Sequence, residues 1–344
     1  MREVQLREVV DIYDNLRRPL STMARSVIQG EYPYYSANGI IDSINRFIFS
    51  GEYILVAEDG SVRTNDGKPI LKLTKEDEQF WVSNHAHVLR AKDGILNKYL
   101  YYNLSQINVD QIITGAVQLK VSQENLLKLR VKLHSCTKQQ HIVDTIGSID
   151  SLIELNQEKI GKIKRLATRK YEFLYKTYPK SAIGKRLKFI KGKQPKFASK
   201  DDGLPYLIID DLASNIYTRF SSEGLVCDEN DVLMVMDGAS SGKVFTGNKG
   251  YVGSTLAKLF SPQIKSSILY FGLSKFEEEI MKNTTGSAIP HTDKSFVSEL
   301  QIIDDLEGKT TDFFNFCLNE ICNLRTQNSL LNIQKEILLQ KYFH

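Results

Sequence analysis

The chain has 344 residues, 42% of them hydrophobic and 25% charged, enough for two globular cores at roughly 100–200 residues per domain. No run approaches the ~18 uninterrupted apolar residues of a membrane-spanning helix, which excludes one. The formal net charge of +4 is unevenly placed: between Lys159 and Lys200 fifteen Lys and Arg face Glu172 alone, a local +14 that leaves the remainder at −10. Such a segment attracts phosphate or an acidic partner.

In chain order, Leu6 to Asp14 reads as a strand leading to the basic Arg17-Arg18-Pro19. Pro33-Tyr34 then opens an apolar run, and Tyr53 to Asp59-Gly60 reads as a buried strand closed by a turn. Asn84 to Leu89 follows as a further strand, and Leu96 to Leu104 as a short helix. Thr114-Gly115 marks a turn before the apolar stretch Leu126 to Val131. The same order then recurs. Arg186 to Ile190 is followed by Lys191, Lys193 and Lys196; Pro205-Tyr206 answers Pro33-Tyr34, and Val232 to Asp237-Gly238 answers Tyr53 to Gly60. Ser254 to Leu259, Ile268 to Phe276, Thr285-Gly286 and Val297 to Ile302 complete the second copy. The offset is 172 at the Pro-Tyr pair, 170 at Asn84/Ser254 and 171 at Gly115/Gly286, with only the Asp-Gly turn at 178. The period is far longer than a solenoid repeat, so the chain holds a duplicated domain.

Each copy closes on a long heptad segment. Ile142, Ile146, Ile149, Ile153, Ile160, Ile163, Ala167 and Leu174 alternate steps of four and three, with Asn156 at the polar position before Lys170. Phe314, Cys317, Ile321, Leu324, Leu331 and Leu338 keep the same spacing, with Asn328 and Lys335 as polar members. A narrow apolar stripe on so long a helix needs a partner, and the other copy lies in the same chain. The spacing predicts helices over 137–178 and 308–343 that pair as an antiparallel coiled coil, with Asn156 and Asn328 setting the register. The expected fold is α/β, with two similar domains, 1–136 and 180–306, alternating with those helices.

No catalytic signature is present. Gly238-Ala239-Ser240-Ser241-Gly242-Lys243-Val244 is one residue short of a phosphate loop and ends in valine. No two prolines adjoin, so the Asn-Pro-Pro-aromatic or Asp-Pro-Pro-aromatic run of an amino-methyltransferase is missing. No G-x-G-x-x-G occurs, and Gly238-Ala239-Ser240-Ser241-Gly242, although it fits the G-x-S-x-G spacing, is not read as a nucleophile elbow. His85 and His87 share a strand face but lack a third ligand at metal spacing, so no metal site is expected. Cys136, Cys227, Cys317 and Cys322 form no C-x-x-C pair, and Met-Arg-Glu-Val-Gln-Leu-Arg-Glu lacks an apolar leader; both favour a cytoplasmic protein.

The run from Glu31 through Tyr35-Ser36-Ala37-Asn38-Gly39 to Ile41 resembles the first target-recognition domain of type I restriction–modification specificity subunits. So do Gly51 to Gly60, Asn84 to Arg90, and Gln139-Gln140-His141-Ile142-Val143 at the entry to the first long helix. Thr285-Gly286-Ser287-Ala288-Ile289-Pro290 is similar to a segment late in such domains. Asp304 to Thr311 departs from the family, lacking the proline and Glu-Gln pair before the second spacer helix. The resemblance implies a non-catalytic subunit that reads two different half-sites in double-stranded DNA across a fixed unspecific gap. It further implies that two methyltransferase subunits dock on the helices and restriction subunits join that core. S-adenosylmethionine and ATP with magnesium are then expected on the partners, with no cofactor on this chain. A methyltransferase-only system and a coiled-coil scaffold without DNA contact are the alternatives.

On that reading, Arg17, Arg18, Lys191, Lys193 and Lys196 suit phosphate contact. Short or forked polar groups on loops suit base edges: Ser36, Asn38, Arg63, Asn65, Asn84 and His87 in the first copy, and Ser240, Ser241, Lys243, Ser254, His291 and Lys294 in the second. Asn38-Gly39 and Asn65-Asp66-Gly67 are good turn formers whatever else they do.

Overall fold

A computed structural model of the chain describes residues 1–64, 66–115, 118–214, 216–286, 289–303, 306 and 308–344. Asn65, Ser287, Ala288 and the acidic part of the junction before the second long helix lie outside the described residues. The chain forms two compact units, Met1–Ser148 with Lys335–His344, and Ile149–Gln334.

The central sheet of the first unit takes Val10–Ile12, Ala86–Ala91, Ile54–Ala57 and Leu71–Leu73 in that spatial order, antiparallel throughout. Ile54–Ala57 is buried at every position, as an unbroken apolar run at the centre of a sheet requires. A second sheet orders Gly39–Ile44, Gln29–Ser36, Gln79–Val82 and Phe49–Ser50, with Gln29–Ser36 and Gln79–Val82 running parallel. Arg2–Gln5 pairs with Arg130–Leu133, and Ile113–Thr114 with Lys120–Val121.

The second unit reproduces this plan. Its central sheet orders Lys188–Lys191, Leu256–Phe260, Val232–Val235 and Val244–Phe245, again antiparallel. The other sheet orders Phe220–Ser221, Leu204–Leu207, Gly250–Val252 and Val226–Cys227, with the one parallel pairing in the same place. Lys180–Ala182 pairs with Gln301–Ile303, and Thr284–Thr285 with His291–Thr292. Every described pairing of one unit thus has a counterpart of the same sense in the other, which duplication explains and chance does not.

The copies differ locally. Where the first unit turns back in the tight hairpin Gln29–Ser36/Gly39–Ile44, the second inserts the helix Ile209–Ser214 before its return strand. The strand expected over Leu6 to Asp14 is in fact one helical turn, Leu6–Val9, followed by the strand Val10–Ile12. A reciprocal cap makes the turn: the Gln5 amide donates to Glu8 Oε1 at 2.7 Å, and Leu6 and Val9 bury on one side.

The long helices are Cys136–Tyr175 and Lys309–Phe343, roughly 60 and 50 Å at 1.5 Å per residue. In the first unit Ile142 and Ile146 share a core with Leu339 and Phe343. In the second, Ala167 and Tyr171 share one with Phe314, Cys317 and Ile321. In each unit the early turns of one helix meet the late turns of the other, so the pairing is antiparallel. Asn156 Nδ2 donates to Asn328 Oδ1 at 2.9 Å, and both side chains are buried. At the helix ends the seam departs from strict heptads. Tyr171 rather than Lys170 turns inward, where its hydroxyl accepts from the Ile303 amide at 3.0 Å. Leu339 and Phe343, not Leu338, are the buried members beside Tyr99 and Tyr102. In both places the packed domain recruits an aromatic-rich face that a coil alone has no use for.

Candidate nucleic-acid interface

The antiparallel register brings three separate segments to one end of each central sheet. In the first unit Ile12 pairs with Leu89 and Ala57 with Ala86, so Asp14–Arg18, Glu58-Asp59-Gly60 and Asn84–His87 come together. In the second, Lys191 pairs with Ala257 and Val235 with Leu256, which gathers Lys191–Lys193, Asp237-Gly238 and Ser254. The same isolated bridge fixes each acidic turn: Asp59 to Lys120, and Asp237 to His291. Lys120 and His291 are 171 residues apart, the offset of the flanking Gly115 and Gly286.

Each acidic turn is ringed by basic side chains. In the first unit Arg17 Nη1 donates to Glu58 Oε2 at 2.6 Å and to the Ala86 carbonyl at 2.8 Å. Its Nη2 lies 3.3 Å from Asp14 Oδ2. Lys120 Nζ approaches Glu58 Oε1 at 3.1 Å, and His85 Nδ1 approaches Asp59 Oδ2 at 2.8 Å. In the second, Asp237 binds Lys191 Nζ and His291 Nδ1, both at 2.8 Å. Burial pushes the Asp237 carboxyl upward, but hydrogen bonds from Lys191 and His291 outweigh it and hold the group below its ordinary value.

Three of the expected contact residues turn inward. His87 is 1% exposed, with Nδ1 at 2.6 Å from Asp14 Oδ2 and Nε2 at 2.8 Å from the Val121 carbonyl. It ties the sheet to the Lys120–Val121 strand instead of facing outward. Ser241 is equally buried, its hydroxyl donating to the carbonyls of Gly238 and Pro290. Arg17 is held among carboxylates, a positioning group for the turn. Asp14, Glu58 and His87 converge closely enough to resemble a metal cradle, but the Arg17 guanidinium already supplies the countercharge there. Because Arg17→Ala removes the guanidinium shared by Asp14 and Glu58 and leaves them to His87 and Lys120, we expect a loss of about 1–3 kcal/mol in urea unfolding of the first unit.

The remaining candidates stay accessible in varying degree. Arg18 is exposed, its guanidinium resting on the carbonyls of Asn15 and Arg17. Asn38 is exposed at the hairpin tip, and with Ser36, Ala57, Lys72 and Ala86 it helps line a cavity of about 190 Å³. Asn84 is exposed beside this group, whereas Arg63 pairs with Asp110 at 2.9 Å. Tyr206 stitches the second unit together: its hydroxyl donates to the Lys193 carbonyl at 3.0 Å and accepts from the Ser254 amide at 2.8 Å. Lys196 is exposed, 3.6 Å from Glu223, and Ser240 is half-buried in the turn after Gly238. The ammonium groups of Lys243 and Lys294 lie over the rings of Phe245 and Phe189, both at 5.8 Å. The sequence reading missed Lys120 and His85; alignment of the copies would have found Lys120 opposite His291.

A family model described as type I restriction modification DNA specificity domain matches residues 1–165. The type I restriction enzyme MjaVIII specificity subunit of Methanocaldococcus jannaschii is 31% identical over 176 residues, 47% of this chain and 40% of that protein. A candidate type I restriction enzyme specificity subunit of Haemophilus influenzae is 30% identical over 147 residues, 43% of this chain and 37% of that protein. The chain thus matches about two fifths of the length of these relatives. A type I restriction–modification system S subunit from M. genitalium shares the fold across 100% of this chain and 96% of that one, with a TM-score of 0.52 and 17% identity. No helix among the described residues is long and apolar enough to cross a membrane.

Proposed function

From residues 1–165, which belong to the type I restriction modification DNA specificity domain family, we propose that the whole chain is a specificity subunit reading a split, asymmetric target in double-stranded DNA. The observation that carries this is the duplication of one plan. Two units of the same strand order each gather cations and short polar groups at the same end of the central sheet. Because the two sets of side chains differ, the two half-sites differ. The paired helices act as the ruler, since a flexible linker would not hold helical phase on B-form DNA.

The subunit contributes no catalytic group of its own; it positions two adenine methyltransferase subunits, and restriction subunits join that assembly. S-adenosylmethionine, ATP and magnesium belong to those partners. The helices offer a second apolar face suited to such docking. Leu152, Leu166 and Phe173 on the first, and Phe316, Leu330 and Ile337 on the second, are exposed and spaced by seven or fourteen residues.

The test is to map methyl-adenine in DNA from cells carrying the chain with its methyltransferase. A bipartite asymmetric motif is expected; methylation independent of this chain, or one continuous motif, overturns the reading. In vitro, Arg18→Ala and Lys193→Ala should weaken binding to all duplexes alike and each lower the salt slope by about 1. Asn38→Ala should leave that slope alone and relax one half-site. Salt titrations of the three variants separate phosphate contact from base reading.

A further inference from the structure

The loop that follows the first strand of the central sheet has the same place in both units, between Ile12 and Gln29 in one and between Lys191 and Leu204 in the other. In both it carries large apolar side chains turned to solvent. Met23 and Val27 are 81% and 78% exposed, and Phe197 is 67% exposed. A single exposed apolar side chain is ordinary, but here the arrangement recurs at the same place in two copies whose loop sequences have diverged completely.

Both loops are held firmly. Met23 and Val27 stand four residues apart on the outer side of the turn Thr22–Ser26, which Ser21 caps by accepting from the Ala24 amide. Arg25 pins its inner side, binding Asp42 at 2.8 Å and the Leu20 carbonyl at 2.7 Å while stacking over Tyr34. In the second unit the buried Ser221 hydroxyl donates to the Lys196 carbonyl and accepts from the Lys196 amide, both at 3.0 Å. The Ala198 amide donates to the Phe220 carbonyl at 3.1 Å. The backbone is therefore anchored on both sides of Phe197 while its ring projects.

Charge identifies the occupant. Phe197 shares its loop with the exposed Lys193, Lys196 and Lys200, which outnumber the exposed Asp201 and Asp202 there although Glu223 lies 3.6 Å from Lys196, and the loop bearing Met23 also bears the exposed Arg18. An apolar tip among cations fits a polyanion with apolar surface between its charges, which is a stacked base step flanked by phosphates. A protein partner of that character would need an acidic rim around an apolar pocket, and the recurrence in both units favours the one ligand both are proposed to bind. We propose that Met23 with Val27, and Phe197, are wedges that press into or unstack a base step, one in each half-site. This rests on the DNA-reading function above and adds a deformation of the duplex that direct base contacts do not require.

The experiment uses the full chain with its methyltransferase and a duplex bearing the mapped target, with 2-aminopurine placed in turn at adenines of each half-site other than the methylated one, which the methyltransferase itself takes out of the stack. Binding should raise the fluorescence at one position in each half-site. Phe197→Ala should abolish the rise in one half-site only and the double variant Met23→Ala/Val27→Ala in the other, each with about tenfold weaker binding. Phe197→Trp should preserve the signal, which separates stacking from a general fault. Specific binding with no fluorescent step, or a rise untouched by these substitutions, overturns the wedge and leaves the DNA-reading function standing. Loss of all preference for the mapped duplex in the unsubstituted protein overturns both.

Discussion

A heptad inserted into both long helices, next to Asn156 in one and Asn328 in the other, should end methylation at the native target. It should redirect methylation to a target whose unspecific gap is longer by about 3 base pairs. Seven residues add roughly 10.5 Å of helix, and the duplex rises about 3.4 Å per base pair. The insert must be a whole number of heptads because any other length carries the apolar stripe off the seam and breaks the Asn156–Asn328 hydrogen bond. The new target should be methylated more weakly than the old one, since 3 base pairs also turn the duplex by about 100°. Both half-sites should survive unchanged, because no residue at the sheet ends is touched. Sequencing for methyl-adenine reads the outcome directly. An unchanged gap would show that the helices do not set the spacing; insertion into one helix only should destroy pairing and yield no modified target.

The duplication and the helical pair were legible because both are periodic. Offsets near 171 and an uninterrupted alternation of fours and threes survive sequence divergence, and each stripe carries one asparagine, Asn156 or Asn328, that marks its own partner. The site was legible by segment and not by side chain. Asp14–Arg18 and Asn84–His87 do converge in the first unit, and Lys191 does meet Asp237 in the second, but whether a polar group faces out depends on partners far along the chain. His87 turns inward because Asp14 and the Val121 carbonyl await it, and Ser241 because of Pro290. Nothing local to either residue reports that. The helical turn Leu6–Val9 was missed because Val9 and Val10, both apolar, favour a strand over so short a window. A reciprocal cap between Gln5 and Glu8 and the packing of two apolar residues on one side outweighed that preference. The exposed Phe197 was hidden in a lysine-rich stretch that reads as a solvated linker until its backbone is seen bound on both sides.

Phe314→Ala should remove about 3–5 kcal/mol from the second unit, a large share of the 5–15 kcal/mol by which ordinary domains are stable. The ring is fully buried, with centroids 5.6 Å from Phe271 and 6.0 Å from Tyr171. Its loss removes apolar burial and leaves a cavity between the helical seam and the domain core. The neighbours are poorly placed to collapse into that space, because the Tyr171 hydroxyl is already engaged by the Ile303 amide. Hydrogen exchange should show Ala167–Tyr171 and Gln301–Ile303 losing protection, while Ile54–Ala57 in the other unit retains it. Phe316, two residues on and 64% exposed, is the control. Phe316→Ala should change stability by less than about 0.5 kcal/mol, yet weaken capture of the methyltransferase if the outer apolar face is its seat. Equal destabilisation by the two substitutions would mean that the seam and the outer face have been assigned the wrong way round. Equal stability with unchanged methyltransferase binding would remove the outer face from the docking surface and leave the seam intact.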